Sequence, residues 1–65
     1  MVKALENKKY LSPKDLAEYL GISLRTVYLW TSLRQVPFYR LGRLTRFSKI
    51  EIEIWMKNKK VELYN

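Results

Sequence analysis

The chain contains no cysteine and no histidine. It therefore has no disulfide, no thiolate nucleophile, neither of the commonest zinc ligands, and no side chain whose ordinary pKa lies near neutrality. Acid-base chemistry is left to lysines and to six carboxylates, Glu6, Asp15, Glu18, Glu51, Glu53 and Glu62. Most of these stand at a helix start or on a solvated face, so no enzyme, no catalytic residue, no metal site and no cofactor are expected. Glycine and proline are scarce, two of each, so each one marks a definite break in local structure. No apolar run approaches the roughly 20 residues of a membrane span, and the N-terminus lacks the apolar core of a signal peptide. The expected location is intracellular, in the cytoplasm, away from membranes.

What is abundant is positive charge. Lys and Arg number 13 against 6 acidic residues, a net charge of +7 with a pI near 9.9, which points to a polyanionic partner. A chain of 65 residues holds one domain with a thin core. A membrane-surface helix would gather its cations on one continuous amphipathic face, whereas the arginines here sit between and beyond the predicted helices.

Residues 1 to 10 carry Lys3, Lys8 and Lys9 without periodicity and read as a mobile basic arm. Order begins at Ser12-Pro13-Lys14-Asp15, where Ser caps, Pro suits the first helical position and Asp15 completes a capping box. Leu16, Ala17 and Leu20 then share one helical face, and Gly21 allows a left-handed turn, so a first helix over about 13 to 20 follows. Ile22 anchors the turn. Ser23 caps a second helix with Val27 and Trp30 inward, and Gln35-Val36-Pro37 ends it. Phe38 to Leu41 and Leu44 to Phe47, around Gly42, read as a β-hairpin. A two-residue turn at Gly42-Arg43 would place Leu41 and Leu44 on one face. A three-residue loop places Tyr39, Leu41, Thr45 and Phe47 together and sends Arg40 and Arg46 outward; it is favoured because it groups more apolar side chains. Ser48-Lys49-Ile50-Glu51 is a second capping box, opening a last helix to about Lys60. Residues 11 to 60 thus form the domain, mainly α with a small β-hairpin in the order helix, helix, hairpin wing, helix, and residues 61 to 65 form a tail.

The stretch from Leu16 to Trp30 meets the demands of a helix-turn-helix: a small residue at the helix crossing (Ala17), a glycine in the turn (Gly21), and apolar inner faces (Leu16, Leu20, Ile22, Val27, Trp30). An ordinary helical hairpin is the plainer alternative. In the DNA-binding motif the second helix enters the major groove with its N-terminal part toward the base edges. Ser23, Arg25, Thr26, Tyr28 and Leu29 avoid the inner stripe: Arg25 suits a guanine or a phosphate, Ser23 and Thr26 a phosphate oxygen, and Leu29 a thymine methyl. Arg34 at the helix end is a phosphate candidate, or a solvated charge favoured there by the helix dipole. Arg40, Arg43 and Arg46 recur through the hairpin and suit phosphates or a narrow minor groove, although edge strands also carry charge to prevent aggregation.

Leu16 to Trp30, then Val36-Pro37-Phe38-Tyr39-Arg40-Leu41-Gly42-Arg43, Arg46-Phe47 and Trp55-Met56, resemble the excisionase family of winged helix-turn-helix domains, relatives of the MerR-type DNA-binding domain, over roughly residues 11 to 57. The resemblance implies a helix in the major groove and a wing in the minor groove. It implies a role as a recombination directionality factor, or as a small transcription regulator, of a mobile element or phage. It also implies Arg25, Thr26 and Tyr28 as helix contacts, Arg40, Arg43 and Arg46 as wing contacts, and Val27, Trp30, Phe47 and Trp55 as core. The expected partner is double-stranded DNA, with a recombinase or integrase, or further copies of the chain on adjacent sites, beside it.

In the last helix Ile52, Trp55 and Met56 form an inner stripe, leaving Ile50 and Ile54 on a second one. Either the hairpin covers these two, or they form a partner surface. An RNA-binding protein is an alternative class, disfavoured because most aromatics are expected in the core rather than free to stack on bases; competition between duplex DNA and RNA distinguishes the two. A protein-interaction domain without nucleic-acid binding is a third, favoured only if the arginine triad proves irrelevant.

Overall fold

The computed structural model describes residues 8–63. Its elements in chain order are β1 (Tyr10–Leu11), α1 (Pro13–Leu20), α2 (Leu24–Ser32), β2 (Tyr39–Leu41), β3 (Leu44–Ser48) and α3 (Lys49–Lys57). Three helices and a small antiparallel sheet of order β1-β3-β2 make a small winged helix-turn-helix architecture. Lys3 of the expected arm lies outside the described residues, and the described part of the tail, 61–63, has no regular structure.

The local start and stop signals act as their chemistry dictates. The Ser12 hydroxyl accepts from the Asp15 N–H at 3.1 Å while the Asp15 carboxylate accepts from the Ser12 N–H at 3.2 Å, and Pro13 occupies the first turn. Lys8 pairs with the same carboxylate at 2.8 Å. At the other end Gly21 takes φ +70°, its N–H donates to Glu18 O, and the Ile22 N–H donates back to Ala17 O at 2.9 Å. This closure satisfies carbonyls that the helix end would orphan. A Cβ at Gly21 would meet nothing within 4 Å, so the glycine answers to backbone conformation and not to space.

The core draws on every element but β2: Leu11 from β1, Leu16 and Ala17 from α1, Val27 from α2, Val36 from the loop, Phe47 from β3 and Ile52 from α3. Tyr19, Leu20, Ile22, Trp30, Phe38 and Trp55 pack around it, partly buried. Ala17, the smallest of the core side chains, is buried among them.

Four sequence expectations are corrected. The strand β1 extends order upstream of Ser12: Leu11 pairs opposite Phe47, and both are fully buried. The hairpin uses the two-residue turn, with Leu41 opposite Leu44 and Tyr39 opposite Arg46. Gly42 has φ +63° and Arg43 does not join it in the left-handed region, the pattern of a type II′ turn, whose twist matches that of the flanking strands. Tyr39, Leu41, Leu44 and Arg46 therefore share the outer face, while Arg40 and Thr45 share the side of Phe47. Grouping the most apolar residues of the hairpin inward misjudged the register because Phe47 takes its apolar neighbour from Leu11 of β1, on the other flank of β3, and not from the hairpin.

The third correction concerns α3, which ends at Lys57 and not near Lys60. Its cap is the Ser48 hydroxyl, whereas the Glu51 carboxylate turns to the Tyr39 hydroxyl at 2.6 Å. The fourth concerns its faces. Ile52 is buried and Trp55 partly so, but Met56 is exposed, and Ile50 and Ile54 are 64 % and 56 % exposed, so the hairpin does not cover them. A helix of nine residues cannot turn three faces to one small core.

Phe47→Ala removes the largest fully buried side chain and is expected to cost about 3–5 kcal/mol. A chain of 65 residues has a total stability of about 3–10 kcal/mol, so urea titration should find this variant largely unfolded or close to it. A second expectation concerns acid. The Lys8 hydrogen bond, foremost, with those from Ser12, holds the Asp15 carboxyl below its ordinary pKa of 3.8. Folding lowers this pKa, so the contribution of Asp15 to stability is complete above the unfolded value and is lost as pH falls through the folded one. Thermal melts of Asp15→Asn should differ from wild type near neutrality, and the difference should shrink as the pH is taken below 3.8.

Candidate nucleic-acid interface

The outward face of α2 is built by helical spacing. Arg25, Tyr28, Leu29 and Ser32 recur at three- and four-residue steps opposite Val27, and with Thr26 they line a shallow depression of about 610 Å³. Tyr28 and Leu29 are both more than half exposed. An exposed Tyr and Leu beside an Arg make a group whose chemistry matches base edges and methyls.

Ser23 is engaged in holding the helix start. Its hydroxyl accepts from the Thr26 N–H at 3.1 Å and lies 2.9 Å from the Thr26 hydroxyl. The two side chains therefore form one unit at the N-terminus of α2, where backbone N–H groups and the helix dipole favour an anion. Ser32, which the sequence reading omitted, completes the depression; its position seven residues after Arg25 was a legible signal.

The wing places its arginines in three different environments. Arg43 is exposed in the turn. Arg40 lies on the side of the hairpin that also carries Phe47, with its guanidinium 5.7 Å from the Phe38 ring centroid. Arg46 stands on the opposite face, partly buried, donating to Thr45 O at 2.7 Å. The expectation that Arg40 and Arg46 point outward together is thereby corrected: a two-residue turn sets them on opposite faces.

Arg34 is separate from both groups. It lines a cleft with Trp30, Gln35, Trp55 and Lys59. It is also the one non-glycine residue among those described with positive φ, +56°. The Arg34 N–H donates to Thr31 O at 3.1 Å and the Gln35 N–H donates to Trp30 O at 2.8 Å, the same helix closure that Gly21 performs for α1. Here an arginine stands where glycine would be unstrained. Lys59 beside it was not foreseen, since only the fold brings residues this far apart into one cleft.

Two glutamates of α3 are engaged structurally, as Asp15 is at the start of α1. Glu53 accepts from the Tyr19 hydroxyl at 2.8 Å and Glu51 from that of Tyr39. Each carboxylate raises the pKa of its tyrosine above the ordinary value of 10, chiefly through that hydrogen bond. Among the described residues, no group of three or more acidic side chains is placed to hold a metal ion, and no helix is long and apolar enough to cross a membrane.

Residues 10–60 match the family model of the helix-turn-helix domain. No curated protein and no solved structure matches the chain. With most of its length matched, the chain belongs to this helix-turn-helix family, a membership that points to DNA as partner.

The closure at Arg34 generates its own expectation. Arg34→Gly relieves a left-handed L-residue and should stabilise the fold by about 1 kcal/mol. For a domain of this size the melting temperature should rise by about 4–8 °C. A lower melting temperature would mean that the Arg34 side chain contributes more through its contacts than its backbone costs.

Proposed function

We propose that this helix-turn-helix domain binds double-stranded DNA sequence-specifically and serves as an excisionase-like recombination directionality factor of a mobile element or phage. The exposed Arg25, Tyr28 and Leu29 around one depression on α2 carry the proposal. In it, α2 lies in the major groove with Arg25 on a guanine or phosphate and Leu29 on a thymine methyl. The Ser23 and Thr26 unit meets a phosphate at the helix N-terminus. Arg43 leads the wing onto the minor groove or its phosphates, flanked by Arg40 and Arg46, and Arg34 holds a phosphate beyond the C-terminal end of α2.

The shape of the wing supports this division of labour. Arginines set on opposite faces of a narrow hairpin can address both walls of a groove when the turn points into it, whereas a one-faced set can address only one. The remaining guanidinium donors of Arg46 are free to reach a phosphate while one is held by Thr45 O. A single motif reads few base pairs, so tandem sites with several copies, or an integrase beside them, supply the rest of the affinity. The exposed Ile50 and Ile54 are the surface proposed to meet that neighbour.

The test is duplex binding across a salt titration, wild type beside an Arg43→Ala, Arg46→Ala double variant. Each phosphate contact contributes a log-log slope of about 0.9, so the variant should lose about one to two units of slope. Circular-permutation gels on a selected target should then show bent DNA. A straight, promoter-overlapping target would replace the directionality role by transcription regulation. Absence of duplex binding at low salt would overturn the DNA proposal altogether.

A further inference from the structure

On the side of the molecule away from the exposed face of α2, an open groove of about 830 Å³ runs between α1 and α3. Its floor is apolar: Leu20 and Ile22 from the end of α1 and the turn, Trp30 from the inner side of α2, and Trp55 and Met56 from α3. The floor is rigidly made. Trp30 and Trp55 meet edge to face with centroids 5.5 Å apart, and the Trp55 indole N–H donates to Gln35 O at 3.1 Å.

The rim is basic. Lys57, Lys59 and Lys60 edge the groove against one carboxylate, Glu53, which is already taken by the Tyr19 hydroxyl. Lys59 lies 5.8 Å from the Trp55 ring centroid. Among the described residues, none of the three lysines is seen in an ion pair with a carboxylate. None of the nine residues proposed to contact DNA lines this groove, although Arg34 adjoins it in a cleft shared with Trp30, Trp55 and Lys59.

We infer that the groove docks an acidic amphipathic helix of a partner protein, its apolar side chains at helical spacing on the Trp30–Trp55 floor and its Asp and Glu residues against Lys57, Lys59 and Lys60. Charge and shape select this occupant. A phosphate backbone has no use for an apolar floor. A second copy of the chain brings its own net +7 against three lysines. A lipid surface is met by a protruding face, not by a concave one. An acidic helix alone satisfies both the floor and the rim. The inference stands apart from the DNA proposal and does not need it.

The chain has two tryptophans, and both line the groove, so its intrinsic emission reports occupancy. The probe is a synthetic peptide of about 14 residues, roughly four helical turns, without Trp or Tyr, with Leu at helical spacing and Asp and Glu elsewhere. Titrated into the full chain, it should shift the emission saturably with a Kd on the order of 100 µM or tighter. Lys57→Glu with Lys60→Glu should weaken it by about tenfold without altering the melting curve, because both side chains are exposed. Should that pair disturb folding, Lys57→Ala with Lys60→Ala serves instead, with a smaller loss expected. No saturable shift would overturn the inference. Equal binding by the peptide with Asn and Gln in place of Asp and Glu, or unchanged binding by the lysine variants, would also overturn it. So would displacement of the peptide by anionic vesicles or by duplex DNA at matched charge, with recovery of the emission of the peptide-free chain bound to that competitor.

Discussion

The contact on which the rest of the molecule depends is the closure of Leu11 over Phe47. Both side chains are fully buried, and they face each other across the β1–β3 pairing. Phe47 is the core's hold on β3, and β3 is the element that joins everything else. It pairs with β1 on one side and carries the wing on the other. Its last residue, Ser48, caps α3, and Lys49 donates its N–H back to Lys9 O. A chain this short has few buried side chains to spend on each junction, so one well-filled contact sets the position of the wing and the start of the last helix together.

From that junction the protein divides into two working sides. The inner stripe of α2, Val27 and Trp30, binds it to the core, and the same helical period leaves Arg25, Tyr28, Leu29 and Ser32 outward. Packing on one side and exposure on the other are one fact, since a helix that buries one stripe must present the opposite one. Trp30 belongs to both economies of the fold. It closes the α2 packing, and with Trp55 it floors the groove between α1 and α3. The two helix closures show a similar contrast. Gly21 turns the chain between α1 and α2 without strain, whereas Arg34 performs the same turn at φ +56° and keeps a guanidinium at the end of α2.

The helix starts and the first turn were legible in the sequence because their causes are local. Ser12 with Asp15, Ser23, Ser48 and Gly21 act on backbone groups within a few residues of themselves, and each does so in the structure. Arg25, Tyr28 and Leu29 were legible as an outward group for the same reason, since helical period alone separates them from Val27. Membership of the helix-turn-helix family rests on residues 10–60, which include that stretch.

What the sequence by itself determined, then, was the order of elements, the capping of the helices, the net charge of +7 and the face that α2 presents. The tertiary structure alone decided the rest: the third strand at Tyr10 and Leu11, the two-residue turn that separates Arg40 from Arg46, the exposure of Ile50 and Ile54, and the Trp-floored groove beneath a lysine rim. Capping and helical period are settled by atoms a few residues apart. Strand register and groove formation depend on which distant side chain fills a given space, and in this chain Leu11, on the flank of β3 away from the hairpin partner strand, supplies the apolar neighbour of Phe47.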